Sequence, residues 1–241
     1  MSHIYKYQVE LAVIIPVYNE EDVIGGILEK WLGQLRTLGI NFILHVYNDG
    51  STDGTRAILR NLAQNNKEII LYENPNCGHG PTILKGYRGA DNAEWLFQID
   101  SDNELGIGDF RGIWNRRNNY DLLIGQRIGR HNNLIRAVLS LASRITVGLF
   151  YAKGIIDVNS PYRLMRNQCF RSILNSMPEN IFAPNIILSG VACLKKYRIF
   201  IYKIKCSKNT GSTSKDKIKL FKGGVRSFFE ALHFRLFKIR Y

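Results

Sequence analysis

Cysteines, prolines and long uncharged runs are all scarce in this sequence, and each scarcity excludes a class of protein. The four cysteines among 241 residues lie far apart and form no C-x-x-C pair, which argues against a zinc site and favours a reducing cytosol over disulfide bonds. The longest uncharged stretch, residues 180–194, is too short to span a bilayer. The N-terminus lacks the apolar run of a signal peptide. We therefore expect no transmembrane helix.

Acidic residues are scarce in the second half of the chain only. Residues 1–120 carry 11 Lys/Arg against 15 Asp/Glu, a net charge of −4, whereas residues 121–241 carry 22 against 5, a net charge of +17. A charge asymmetry of this size predicts an anionic partner for the second half. Nucleic acid, an anionic membrane surface and a phosphorylated substrate all fit.

Short apolar runs alternate with segments of helical spacing along the first half. Because parallel strands are buried on both faces, such runs predict the strands of a mostly parallel α/β sheet, whose ligands bind beyond the carboxyl ends of the strands. The predicted strands are residues 11–15, 42–46, 69–72, 95–99 and 122–124. Further along, the pattern predicts a helix over 134–149, an extended segment over 155–166, a helix near 184–196 and a strand near 199–204.

Polar loops follow the first four predicted strands in order. They comprise residues 16–20, 48–51, 76–80 and 100–104. Turn chemistry explains any one of these loops. Four of them at the same edge of one sheet indicate a binding site.

Asp100 and Asp102 stand one residue apart at the end of the fourth apolar run. In an extended chain, residues i and i+2 point to the same face, so these carboxylates are expected side by side. Oxygen ligands of this kind suit Mg2+ or Mn2+ bound together with substrate phosphates. An acidic loop that only solubilises the strand end is the alternative.

The C-terminal third ends in two basic segments. Residues 205–215 are polar, basic and contain glycine, which is typical of a mobile loop that closes over a phosphate. Residues 216–241 combine an apolar stripe with lysines and arginines, the pattern of a helix lying in a membrane interface. Packing against the core or a second subunit is the alternative. We therefore predict a domain over 1–215 and a basic amphipathic extension over 216–241.

Three segments together resemble family 2 glycosyltransferases of the GT-A fold, in particular the polyprenyl-phosphate sugar transferases, the branch that includes dolichyl-phosphate mannose synthase. They read IIPVYNEE from Ile14, NDGSTDGT from Asn48, and DSD from Asp100. The resemblance implies a Rossmann-like three-layer sandwich. It also implies a cytoplasmic enzyme held at the inner face of the membrane.

The resemblance also implies donor-binding residues. Pro16, Tyr18 and Glu20 lie in the loop that receives the nucleotide, and Asp49 matches the aspartate that contacts the base, where the family usually has two aspartates and this chain has Asn48-Asp49. Asp100 matches the first residue of the metal-binding D-x-D. Asp102 matches its last residue, and Glu104 replaces a frequent glutamine, so that a third carboxylate would bind the Mg2+ or Mn2+.

Five basic residues match phosphate-contacting segments of the family. Arg127 and Arg136 are implied to bind the acceptor phosphate and take part in catalysis, since guanidinium offers paired donors to phosphate oxygens. Arg163 matches a segment that commonly reads S-G-F-R, although this chain has proline in place of its glycine. Lys208 and Lys215 fall in the closing loop and are expected to contact the donor.

The sequence lacks an evident catalytic base at one position where many family members carry an acid. Inverting transfer to a sugar hydroxyl needs a carboxylate base, whereas a phosphate acceptor is already anionic. At the predicted helix near Pro184 this chain has Asn185, with Asp157 and Glu179 as other candidate bases. We therefore expect inverting, metal-dependent transfer of a hexose from a nucleotide diphosphate sugar to polyprenyl phosphate, either undecaprenyl or dolichyl.

Two other functions fit parts of the sequence. A family 2 transferase of surface polysaccharide synthesis would differ only in using a sugar hydroxyl as acceptor. A nucleic-acid-binding module fits the basic half but needs exposed stacking aromatics and leaves the acidic loops unexplained, so we expect no nucleic-acid partner. Neither G-x-G-x-x-G after the first strand nor a P-loop occurs. A homo-oligomer is possible.

Overall fold

A computed structural model describes residues 8–101, 107–128, 148, 157–205 and 217–237. Within these residues seven strands and seven helices alternate along much of the chain. The strands are β1 Val9–Val17, β2 Phe42–Asp49, β3 Ile69–Asn74, β4 Ala93–Gln98, β5 Leu122–Ile128, β6 Arg163–Arg166 and β7 Ile199–Lys205. The helices are α1 Ile24–Thr37, α2 Thr55–Asn65, α3 His79–Gly89, α4 Phe110–Trp114, α5 Asn167–Ser176, α6 Pro184–Leu194 and α7 Lys217–Phe237.

One sheet contains all seven strands, in the order β3-β2-β1-β4-β6-β5-β7. The first four neighbours are parallel, and β5 is parallel to β7, but β6 runs antiparallel to both β4 and β5. The carboxyl ends of β4 and β5 therefore lie at the same edge as the beginning of β6. This topology brings the ends of β1, β2, β4 and β5 to one rim.

Apolar side chains cover both faces of the sheet, as expected for a largely parallel one. Along β1, Leu11, Val13 and Ile15 belong to the core beneath α1, α2 and α4, whereas Ala12 and Ile14 belong to the core beneath α3, α5, α6 and α7. All five residues are fully buried. The molecule is thus a three-layer sandwich in which two separate cores fix the sheet.

The predicted mostly parallel α/β architecture is confirmed, as are the five strands predicted between residues 11 and 124. The segment predicted as extended over 155–166 is a strand only from Arg163, because residues 157–159 form a bend and turn. Helix α5 has no counterpart in the predictions. The predicted helix over 134–149 lies outside the described residues apart from residue 148, and the basic loop lies outside them from residue 206 to its end.

Helix α7 has a buried side and an exposed side. Ala231 and Phe234 are buried in the core shared with α3 and α6, whereas Val225, Phe229 and Leu236 are exposed. A cavity of about 510 Å3 lies between this helix and the segment that follows α5; its lining residues are Ser176, Met177, Pro178, Ile181, Phe229, Glu230, His233 and Phe234. Core packing, one of the two predicted roles of the stripe, therefore accounts for part of α7.

None of the described helices is both long enough and apolar enough to cross a membrane.

The start of α3 makes a close backbone contact that a glycine permits. A Cβ added to Gly80 would lie 2.1 Å from the backbone oxygen of Phe182 and 2.4 Å from that of Ile181. We expect Gly80→Ala to lower the free energy of unfolding by about 1–3 kcal/mol, because backbone atoms must move to admit the methyl group. Urea unfolding of the two proteins measures the difference.

Gly33→Ala is the matched control for that substitution. Gly33 lies inside α1 with no atom within 4 Å of its added Cβ, so the same change is expected to raise stability by roughly 0.5–1 kcal/mol. Equal effects of the two substitutions would contradict the close contact between α3 and the 181–182 segment.

Candidate active site

The loops that follow β1 and β2 are bonded to each other at the rim. The backbone N–H of Asn19 donates to Ser51 Oγ at 3.0 Å, and that of Glu20 donates to Thr55 Oγ1 at 2.8 Å. In return, the Thr52 N–H donates to Asn19 Oδ1 at 2.8 Å. Asn19 has a positive φ of 54°, which asparagine tolerates better than most residues. These bonds fix the loop that carries Tyr18 and Glu20 before any ligand binds.

Asp49 ends β2 and is almost completely buried. Its Oδ1 accepts from the Cys77 N–H at 2.8 Å, and its Oδ2 accepts from the Gly78 N–H at 2.9 Å. Gly78 has a φ of 92°, a conformation that side chains disfavour, and it directly precedes α3. The carboxylate therefore holds the β3–α3 loop in place. The lone pairs that remain on its oxygens can accept hydrogen bonds from a nucleotide base.

Asp100 lies just beyond the end of β4 with its side chain 29% exposed. Its Oδ1 accepts a hydrogen bond from Gln98 Nε2 at 3.3 Å and lies 3.5 Å from His79 Nε2, at the first residue of α3. Among the described residues, Oδ2 has no partner. A partly exposed carboxylate with one open oxygen is a suitable ligand for a hard divalent cation.

Groups of three or more potential metal ligands do not occur among the described residues. The two other predicted ligands, Asp102 and Glu104, lie outside those residues. Of the three predicted metal ligands, Asp100 is the one that lies within the described residues.

Arg127 lies near the end of β5 and pairs with Asp157 in a two-pronged ion pair. Its Nε donates to Asp157 Oδ2 at 2.8 Å and its second terminal nitrogen donates to Oδ1 at 2.9 Å. The side chains are 16% and 14% exposed. Both oxygens of Asp157, one of the candidate bases, thus accept hydrogen bonds from a guanidinium, which restricts the position of the carboxylate.

Arg163 begins β6 and is fully buried. Its guanidinium donates to the backbone oxygens of Val158, Ser160 and Asn185 at 2.9–3.1 Å. Burial lowers its pKa below the ordinary value. The family resemblance assigns Arg163 to ligand binding, but in this structure its N–H groups donate to oxygens of the protein itself.

The structure brings many of the predicted site residues to one rim. These residues are Pro16, Tyr18, Glu20, Asp49, Asp100, Arg127 and Arg163. Their roles are not tested by the geometry and stay predictions. The remaining ones, Asp102, Glu104, Arg136, Lys208 and Lys215, lie outside the described residues.

Two residues near Asp100 were missing from the sequence-based site. His79 belongs to the third polar loop, but nothing in the sequence directs it at Asp100 rather than at solvent. Gln98 sits at i−2 from Asp100, so the period of a strand could have indicated it; its polar character inside an apolar strand is the signal.

Comparison with known proteins identifies the family. The model of glycosyl transferase family 2 matches residues 12–179. A dolichyl-phosphate beta-glucosyltransferase of Trichomonas vaginalis is 27% identical over 230 residues, covering 87% of this chain and 69% of that protein. An undecaprenyl-phosphate 4-deoxy-4-formamido-L-arabinose transferase of Photorhabdus laumondii is 24% identical, covering 73% of this chain. The chain spans about half, 54%, of that bacterial relative's length.

Solved structures share the fold at low sequence identity. Mannosyl-3-phosphoglycerate synthase from Rubrobacter xylanophilus aligns over 97% of this chain and 77% of its own with a TM-score of 0.72 and 14% identity. Glucosyl-3-phosphoglycerate synthase from Mycobacterium tuberculosis, solved with Mn2+, UDP and glucosyl-3-phosphoglycerate, aligns over 96% and 81% with a TM-score of 0.63 and 17% identity. The family model covers well over half of the sequence, so this chain belongs to the family 2 glycosyltransferases and has their GT-A fold.

Proposed function

We propose that this protein transfers a hexose, with inversion and with the help of Mg2+ or Mn2+, from a nucleotide diphosphate sugar to a polyprenyl phosphate. Family membership supports glycosyl transfer. The acceptor is suggested by the names of the relatives in Trichomonas vaginalis and Photorhabdus laumondii, which act on dolichyl and undecaprenyl phosphate. The residues of this chain support each part of the proposal separately.

The hydrogen bonds between the β1–α1 and β2–α2 loops support the part of the proposal that concerns the sugar donor. Pro16, Tyr18, Glu20 and Asp49 lie at the rim that these hydrogen bonds hold in place, where the nucleotide would bind. Asp100, with Asp102 and Glu104, would hold the cation at the diphosphate. When bound there, Mg2+ or Mn2+ supplies charge stabilisation to the departing nucleoside diphosphate. A neighbour with the same fold was solved with Mn2+ and UDP, which is consistent with this choice of metal.

The acceptor half of the proposal rests on the side chain of Asn185. At this position the chain has an amide that is 3% exposed and donates to Gln98 Oε1 at 2.8 Å, so it can neither remove a proton nor reach a sugar. Asp157 is engaged by Arg127. A phosphate oxygen needs no base: it attacks the anomeric carbon, the bond from that carbon to the diphosphate oxygen breaks, and the nucleoside diphosphate leaves with the electron pair.

Charge and exposed apolar surface favour an acceptor in a membrane. The second half of the chain has a net charge of +17, and Arg127 with Arg136 would bind the acceptor phosphate. Val225, Phe229 and Leu236 are exposed along α7, and Phe182 beside that helix is exposed as well. We infer a peripheral position at the cytoplasmic face of the membrane, with α7 at the interface.

The acceptor is tested by incubating the protein with Mn2+ and a panel of UDP- and GDP-hexoses, each with polyprenyl phosphate or with a free oligosaccharide. We expect a lipid whose mass rises by one hexose with at least one donor. Transfer to the oligosaccharide but not to the lipid would replace this proposal with the sugar-hydroxyl alternative.

The metal role is tested by Asp100→Asn. Removing the charge while keeping the shape is expected to reduce turnover roughly a hundredfold or more, because charge on the leaving group is then less stabilised. Asp91→Asn is the control, since Asp91 is an exposed residue at the opposite end of β4. Unchanged turnover of Asp100→Asn at ordinary Mn2+ concentration, in a folded protein, would refute the role.

The membrane role of α7 is tested by Phe229→Ser combined with Leu236→Ser. Losing two exposed apolar side chains is expected to weaken binding to vesicles of phosphatidylcholine and phosphatidylglycerol by roughly tenfold or more. Cosedimentation with the vesicles measures the change. Val23→Ser removes an exposed apolar residue elsewhere and is expected to leave binding unaltered; an equal loss in both variants would argue against a specific surface.

A further inference from the structure

Gln98 lies beneath the carboxylate of Asp100 and is fully buried. It is the last residue of β4, and its Nε2 donates to Asp100 Oδ1 at 3.3 Å. A bond to one carboxylate oxygen restricts rotation of the group and leaves the other oxygen facing away. Gln98 thus selects which oxygen of Asp100 is open.

Three hydrogen bonds orient the side-chain amide of Gln98. Its Oε1 accepts from Tyr87 Oη at 2.6 Å and from Asn185 Nδ2 at 2.8 Å, which uses both lone pairs of a carbonyl oxygen. The NH2 group faces Asp100, whose Oδ1 accepts a hydrogen bond from it. Burial raises the pKa of Tyr87 well above its ordinary value, so its hydroxyl remains a proton donor.

Asn185 and Tyr87 are themselves held by buried neighbours. Asn185 lies in the first turn of α6, and its backbone oxygen accepts from Arg163 at 3.1 Å. Tyr87 lies on α3 with no exposed surface. The three side chains therefore connect two helices on one face of the sheet to the strand end that carries Asp100.

We propose that Tyr87, Gln98 and Asn185 form a positioning triad, which holds Asp100 with one oxygen directed at the divalent cation of the transferase site. The inference rests on the proposed function and adds to it three residues that contact neither metal nor substrate. Such second-layer partners of metal ligands typically change metal affinity when they are removed.

The triad also explains why residue 185 is an amide in this chain. A carboxylate there would be an acceptor 2.8 Å from the Oε1 of Gln98, and two acceptors in contact repel. The glutamine would turn to offer its NH2 to residue 185, and its Oε1 would then face Asp100 Oδ1. A carboxylate at 185 would thus disfavour the orientation in which Gln98 donates to Asp100.

The first test measures Mn2+ binding by electron paramagnetic resonance, with UDP or GDP present, in the wild type, Gln98→Met and Asn185→Asp. Both substitutions are expected to weaken Mn2+ binding by about 10- to 100-fold. Turnover should fall with them, whereas the KM for polyprenyl phosphate should stay within about twofold, since a positioning effect on the metal leaves acceptor contacts intact.

Asn167→Leu is the matched control. Asn167 is a buried amide on α5 that donates to the backbone oxygens of Ala90 and Ala93, near the opposite end of β4. We expect this variant to lose stability without losing Mn2+ affinity. If Gln98→Met loses as much stability as Asn167→Leu but binds Mn2+ like the wild type, the triad is only structural and the proposal fails.

A metal-free measurement separates this proposal from the proposed function. In crystals of Gln98→Met grown without metal, the Asp100 side chain is expected to change rotamer or lose its order, while its backbone stays in place. An unchanged Asp100 would overturn the triad even if the enzyme is active. A displaced Asp100 together with no Mn2+ binding by the wild type would retain the triad and refute the metal-dependent function.

Discussion

A buried guanidinium, that of Arg163, joins three segments of the chain beside the candidate site. Arg163 has no carboxylate within hydrogen-bonding distance among the described residues, and burying a charge in this way is unfavourable unless its donors are satisfied. Backbone oxygens satisfy them: Val158 and Ser160 in the turn before β6, and Asn185 in α6. The antiparallel strand β6, the turn before it and the helix behind it are therefore joined at one point. Asp100 and Arg127 take their positions beside that point.

The sequence could predict the parallel part of the fold because its information is local. Continuous apolar runs such as residues 11–15 are buried on both faces of a sheet, and polar loops follow them at the carboxyl ends. Strand β6 was predicted only as part of a longer extended segment, residues 155–166, and its bounds and its place in the sheet could not be predicted in the same way. It has four residues, two of them arginines, and its place between β4 and β5 depends on partners distant in sequence.

The candidate site was predictable to the same extent as the fold: which residues lie in it could be predicted, but not what they contact. Residues at strand ends, such as Asp49 and Asp100, were identifiable because topology alone brings them to the rim. What each side chain contacts was not identifiable: the carboxylate of Asp49 accepts from the backbone at Cys77 and Gly78, and no spacing in the sequence encodes that pairing. Arg163 likewise resembles a ligand-binding arginine in its motif, but burial directs its donors inward.

The bonds between the β1–α1 and β2–α2 loops have a consequence for how tightly a donor can bind. Asn19 and Glu20 are joined to Ser51, Thr52 and Thr55 across more than thirty positions of chain. Conformational freedom of these segments is lost when the protein folds, before any ligand binds. A ligand at this rim would then bind without the entropic cost of ordering these two loops.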